Sequence, residues 1–288
     1  MIRIGIVGSD NSHAERFPEL TNLPERPAEQ RVEGAQVVAL FGLEEKRTQE
    51  VAQKTRIPKI VSDPKEMLGM VDAAMVVFRH GGLHLQYAAP FIEAGIPTFV
   101  DKPLAATPAD AQAIVDLAVR KGAPLTCFST LRYAKGVPEF IKGLEAIAPL
   151  RTGIYTSHAT RTNEYGGLIF YAIHAVELML AAHGPGIQEV RAAQYGTNVM
   201  AICGHKNSQI LALNLLATSY GFNMQVYGDK GHRLLDVDAS TCYQEGFQVF
   251  LDMVRTGVPP LSYAEMVEAV RIVDAVERSL QTGKAVRL

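Results

Sequence analysis

The 288-residue sequence contains no tryptophan and only three cysteines, Cys127, Cys203 and Cys242. The first absence removes quenching of indole emission as a monitor of ligand binding. The second argues against a disulfide framework. Three thiols so far apart show no zinc spacing and suggest reduced side chains in a cytoplasmic protein. No apolar run approaches the roughly 20 residues needed to span a bilayer, so no membrane partner is expected. Nor is there an excess of either charge: 28 Lys and Arg against 30 Asp and Glu give a formal charge of -2, with no basic footprint for nucleic acid. The chain opens directly into a strand pattern, so no signal peptide is expected. Internal repeats and low-complexity segments are missing. His84, His158, His183, His205 and His232 lack metal-ligand spacing, and no Ser-His-Asp order or phosphate-binding P-loop is visible. Metal, hydrolytic and phosphoryl-transfer chemistry are therefore not expected.

What remains is a soluble α/β composition, 48% hydrophobic and 20% charged. Apolar runs at 2–8, 35–42, 73–78 and 96–103 read as buried parallel strands. Helical patterns at 13–23, 45–55, 83–95 and 108–122 alternate with them, and Pro18, Pro24 and Pro27 break the first. Thr107, Pro108 and Gly122 bracket the last as N-cap, first turn and stop. Alternation of this kind predicts a doubly wound parallel sheet over residues 1–124. From residue 125 the rhythm changes. A helix at 136–147, a strand at 152–160 and an apolar helix at 166–184 precede five strand-like runs between 188 and 238, separated by glycines. Helices at 243–256 and 262–281 close the chain. Residues 125–288 thus read as an α+β domain with a mostly antiparallel, open sheet.

Between the first strand and first helix stands "VGSDNSHAERF", residues 7–17, where dinucleotide-binding domains carry G-x-G-x-x-G. Gly8 fits the first glycine. The second falls on Asp10, whose charge opposes a phosphate, and the third on His13, bulky for close helix–strand packing. Ser12-x-x-Glu15 also fits a capping box, so the loop either caps a helix or cradles a phosphate. The acidic residue that ends the second strand and accepts ribose hydroxyls falls on Gly42. Glu44 and Glu45 lie near enough to substitute, Lys46 and Arg47 could meet a 2′-phosphate, or all four are a solvated helical turn. After the third strand, Arg79 stands where ligands bind in such sheets and could supply the positive charge the first loop lacks.

Three stretches in order, "VDKPLAATPADAQAIVDLA", "GGLIFYAIHAVELML" and the C-terminal "FLDMVRTGVPPLSYAEMVEAVRIVDAVERSLQTGKAVRL", resemble the glucose–fructose oxidoreductase/inositol dehydrogenase/MocA (Gfo/Idh/MocA) family. The resemblance spans nearly the whole chain and implies a Rossmann domain, NAD or NADP, and hydride transfer at a carbinol of a sugar, cyclitol or related polyol. It implies catalytic roles for Lys102, in Asp101-Lys102-Pro103, and for His174, with Tyr171 on the same helix face. The family's Asp one turn before that His is replaced by Phe170 and an intervening Gly by Ala172; Tyr171, Glu177, Glu164 and Tyr165 stand near enough to compensate. Cofactor binding is expected of Gly8, Ser9, Asn11, Ser12, His13, Arg79, Asp101 and Lys102. Substrate binding is expected of Arg132, Tyr165 and His174, with Arg132-Tyr133 alternatively an inter-domain contact. A homodimer or homotetramer through the second domain's sheet is implied. The departures at Asp10, His13, Gly42 and Phe170 leave open a degenerate member acting as a ligand-binding or regulatory module.

Overall fold

The apolar runs of the first 126 residues assemble into one parallel sheet. In the computed structural model, which describes residues 1–288, its strands are β1 (Ile2–Val7), β2 (Ala35–Phe41), β3 (Lys59–Ile60), β4 (Ala73–Val76), β5 (Thr98–Val100) and β6 (Leu125–Thr126). Their order is β3-β2-β1-β4-β5-β6, and every pairing is parallel. Helices α1 (His13–Asn22), α2 (Glu45–Thr55), α3 (His84–Glu93) and α4 (Pro108–Lys121) make the crossovers. Strands β4 and β5 are buried at every position, as their unbroken apolar sequence requires. The two-residue strands β3 and β6 are too short to show a period. The order reverses between β1 and β4, which places the crevice for a ligand at the carboxyl ends of these two strands.

Two expectations about the first helix are corrected. Pro18 does not break α1: the helix runs through it to Asn22. The missing N–H weakens one turn, but Ala14, Phe17 and Leu20 are buried and hold the helix in place. The helix ends where the Asn22 side chain bonds to both the N–H and C=O of Val37 on β2, at 3.1 and 2.8 Å. The Ser12–Glu15 capping box also does not form. Ser12 already has helical torsions and no side-chain cap, and Asn11 Oδ1 instead accepts from His13 N at 3.2 Å. Glu15 turns to α2, pairing with Arg47 at 2.5 Å and with Lys54.

The second architecture is a seven-stranded sheet with α5 (Val137–Lys142) before it. Its strands are β7 (Leu150–His158), β8 (Ile187–Tyr195), β9 (Asn198–His205), β10 (Ile210–Leu216), β11 (Asn223–Gly228), β12 (Gly231–Asp236) and β13 (Val286–Arg287). The order is β12-β11-β7-β10-β9-β8-β13; only β7 with β10 is parallel. Helix α6 (Ile169–His183) packs on β7 and β10 and buries its side chains on all sides, as its apolar sequence predicts. Strands β9 and β10 alternate buried and accessible residues, so one face is covered and the other is open. Met200, Ile202 and Ile210 stand on the open face, each at least half exposed.

Helices α7 (Cys242–Thr256) and α8 (Tyr263–Thr282) complete the chain. By contact, residues 1–105, 109–128 and 243–263 form one unit, and residues 106–108, 129–242 and 264–288 the other.

Candidate active site

In the first unit the site begins at Gly8. Its φ of +110°, and the 2.8 Å that a Cβ would leave to Phe78 N, exclude any other residue where β1 ends beside β4. The following side chains are engaged inside the unit. Ser9 Oγ bonds Thr48 Oγ1 at 2.9 Å, and Arg47 Nε donates to Ser9 O at 3.1 Å. Asn11 Nδ2 donates to Asp101 Oδ2 at 3.0 Å. His13 is buried, with Nδ1 2.6 Å from the same oxygen in an ion-pair contact and Nε2 3.2 Å from Tyr243 Oη. The imidazole meets Phe17 and Tyr243 edge to face, so the third-glycine position holds a packed ring. Ser9, Asn11, His13 and Asp101 thus make bonds that shape the loop, and Asp10 and Ser12 are its exposed side chains.

Asp10 turns its carboxylate across the switch point, accepting from Arg79 N at 3.1 Å. The acid sits at the Arg79 turn rather than inside the loop, and Arg79 itself is half-buried at the crevice. At the end of β2, a Cβ on Gly42 would lie 2.0 Å from Ser9 Oγ and 2.2 Å from Thr48 Oγ1. The hydroxyl pair occupies the space of the usual ribose-binding acid. Glu44, Glu45 and Lys46 are exposed on the first turn of α2, while Arg47 bonds back to the loop.

Lys102 follows β5 and is buried. Burial pushes its ammonium pKa down; Asp101 and Cys127 oppose the shift and Arg79 adds to it. Burial would raise the Asp101 carboxyl, but His13 and then Lys102 more than offset it, so this acid is held below its ordinary range. Its Oδ1 also accepts from Lys102 N at 2.8 Å. His84, fully buried, joins the two sides of the loop: Nδ1 meets Pro103 O at 2.8 Å and Nε2 meets Phe78 O at 2.9 Å. A lysine with a lowered pKa, fixed at the carboxyl edge of the sheet, is suited to exchanging a proton with a hydroxyl.

In the second unit, α6 carries His174 and Tyr171. His174 Nδ1 lies 2.7 Å from Ser129 Oγ, both residues being buried. Leu131 N donates to that oxygen at 3.3 Å, leaving the hydroxyl hydrogen available to Nδ1. In that arrangement the neutral ring carries its proton on Nε2. Ser129, in "CFST", is the residue that sequence reasoning missed. Nothing in its spacing marks it, because its partner is 45 positions away. Arg132 is buried and divides its guanidinium between Glu177 at 2.8 Å and Glu265 at 2.5 Å, so it braces α6 against α8 instead of offering a free cation to substrate. Tyr165 packs on Phe170 with ring centroids 4.8 Å apart.

Known proteins supply an independent comparison. The family model GFO_IDH_MocA, described as "Oxidoreductase family, NAD-binding Rossmann fold", matches residues 2–128. Inositol 2-dehydrogenase 1 of Saccharopolyspora erythraea is 33% identical over 123 residues, covering 42% of this chain and 34% of that protein. The match therefore spans about a third of that curated relative's length. Two solved structures share the fold over almost their full lengths. A probable dehydrogenase from Thermotoga maritima has a TM-score of 0.85 at 19% identity, covering 99% of this chain and 98% of that one. The myo-inositol dehydrogenase from Lactobacillus casei, in complex with NAD(H) and myo-inositol, also has a TM-score of 0.85, at 17% identity over 100% of this chain and 97% of that one.

Proposed function

We propose that the chain is an NAD(P)-dependent dehydrogenase or reductase of the Gfo/Idh/MocA type, acting on the carbinol of a sugar, cyclitol or related polyol-type substrate; the match of residues 2–128 to that family model and the likeness to an inositol 2-dehydrogenase support the reading. The observation that carries the reading is Lys102, buried beside Asp101 at the carboxyl edge of the parallel sheet with its pKa pushed down by burial. Burial costs the ammonium hydration, and Asp101 offsets only part of that cost, which leaves the lysine able to give up its proton.

The residues present fit a dinucleotide at the β1–β4 switch point. Gly8 makes the tight turn at the end of β1 that a Cβ pressed on Phe78 would forbid, and Ser12 opens α1, whose positive end favours an anion. Arg79 adds a cation there. When bound, the nicotinamide supplies a hydride acceptor or donor at C4. The protein's part is proton handling: Lys102 holds or takes the hydroxyl proton, and His174, oriented through Nδ1 by Ser129, presents Nε2. Tyr171, whose ring centroid lies 5.7 Å from that of His174, borders the same place. Residues 1–124 serve as the cofactor domain in this reading, and 125–288 as the substrate and assembly domain. A cytoplasmic homodimer or homotetramer would cover Met200, Ile202 and Ile210.

Calorimetric titration with NAD, NADH, NADP and NADPH tests the reading and selects the cofactor. Binding at about micromolar Kd, with turnover lost in a folded Lys102→Ala variant, is the expected result. The filled ribose position at Gly42 favours one alternative, a ligand-binding or regulatory module. No binding of any of the four to folded, ligand-free protein would select that alternative.

A further inference from the structure

The surroundings of His174 within the second unit are aromatic. Tyr171 and Phe222 flank the imidazole, with ring centroids 5.7 and 5.4 Å away. Tyr171 continues into Phe170 at 4.8 Å and into His158 at 5.0 Å. Tyr220 stacks on His158 at 4.3 Å while remaining 76% exposed. Tyr171 and Phe222 are part-exposed, so this is not simply core. A ring whose hydroxyl approached His174 along this side would lie against Tyr171 and Phe222.

Three hydrogen-bonding side chains of this unit are already engaged within the protein, while His158 Nδ1 is buried with no partner. Arg132 is held by Glu177 and Glu265. Asn163 uses Nδ2 on Thr160 O and Gly167 O, and Oδ1 on the N–H groups of Tyr165 and Gly167. Ser129 serves His174 and Leu131. A site that recognises many hydroxyls needs uncommitted donors and acceptors, because every hydroxyl brought out of water without a partner costs free energy. Aromatic faces reward C–H and apolar surface instead.

From these two observations we infer that the site selects a ring carbinol presenting an apolar face, one with hydroxyls missing or replaced by apolar groups, over a fully hydroxylated ring. The inference rests on the dehydrogenase reading above and names the substrate class of that same site.

The test compares trans-cyclohexane-1,2-diol with myo-inositol, the same six-membered carbon ring with and without its further hydroxyls. Both are offered to the full-length protein with the cofactor chosen by calorimetry, and NAD(P)H formation is followed. The diol is expected to give a kcat/KM at least about tenfold higher. Phe222→Ser, at a part-exposed site, is expected to shrink that ratio by about fivefold or more. Phe170→Asn should act in the same direction if it folds. Equal or faster turnover of myo-inositol overturns the inference and leaves the dehydrogenase reading standing. Cofactor binding with no turnover of either ring overturns the inference, and no turnover of a panel of sugars and polyols besides overturns the dehydrogenase reading as well. A diol preference that Phe222→Ser leaves untouched also overturns the inference, because the aromatic wall would not be its source.

Discussion

His13 Nδ1 lies 2.6 Å from Asp101 Oδ2, and the same oxygen accepts from Asn11 Nδ2 at 3.0 Å. The loop after β1 thereby grips the acidic residue that precedes Lys102. Asp101 is fully buried and its folded pKa lies below the ordinary 3.8, because His13 and Lys102 outweigh the burial that would raise it. A depressed carboxyl contributes stability above its unfolded value, and that contribution is lost as pH falls through the folded one. His13→Ala leaves the carboxylate with one partner fewer. It should lower unfolding free energy at about pH 7 by about 1–3 kcal/mol, with the deficit narrowing below about pH 4. Urea unfolding of both proteins at the two pH values checks this. A deficit of the same size at both would assign the loss to the ring's packing on Phe17 and Tyr243.

Restoring an acid at the end of β2 should not restore the ribose contact. Gly42→Asp drives a Cβ to within 2.0 Å of Ser9 Oγ and 2.2 Å of Thr48 Oγ1. The expected cost is on the order of 1–3 kcal/mol in stability, with NAD binding unchanged or weaker. Combining it with Ser9→Gly and Thr48→Ala removes both hydroxyls. The triple variant should then recover stability relative to Gly42→Asp and bind NAD about tenfold tighter than the unaltered protein, since a charged hydrogen bond to ribose is gained. Thermal melts and calorimetry decide it; tighter binding by the single variant would show that the hydroxyl pair yields easily.

These two positions show what the sequence carried and what it did not. Both sheets and the place of Lys102 at a strand end follow from local apolar runs and their spacing, because burial on one or two faces leaves a period; the strand order, and with it the switch point, does not. The loop was harder. Asp10 and His13 look like faults in a glycine fingerprint only until their partners are known, Arg79 N for one and Asp101 for the other. Those partners lie 69 and 88 positions away along the chain, and no local pattern joins them. Ser9 and Thr48 similarly explain Gly42 from 39 residues apart. Ser129 is the same case in the second unit. Short-range signals such as Ser12–Glu15 misled because Asn11 caps the turn locally through His13 N and Arg47 draws Glu15 across the fold.

Glu177 should make stability fall as pH rises through neutrality. Its carboxyl is buried against Arg132, which is also held by Glu265 at 2.5 Å. Burial drives its pKa from the ordinary 4.5 up to about 7; Arg132 opposes that rise and Glu265 reinforces it. One always-charged guanidinium faces two acids, so a proton on one of them balances the cluster. A folded pKa above the unfolded one means the native state holds a proton the unfolded chain has released. The contribution is complete below about pH 4.5 and gone above about pH 7, on the order of 3 kcal/mol at most. Glu177→Gln keeps an acceptor for Arg132 and removes the titration. Its unfolding free energy should drop less between about pH 5 and pH 8 than that of the unaltered protein, and it should be the more stable of the two at the upper end. Parallel pH curves for the two proteins would assign the proton elsewhere, with Glu265 the next carboxyl to replace.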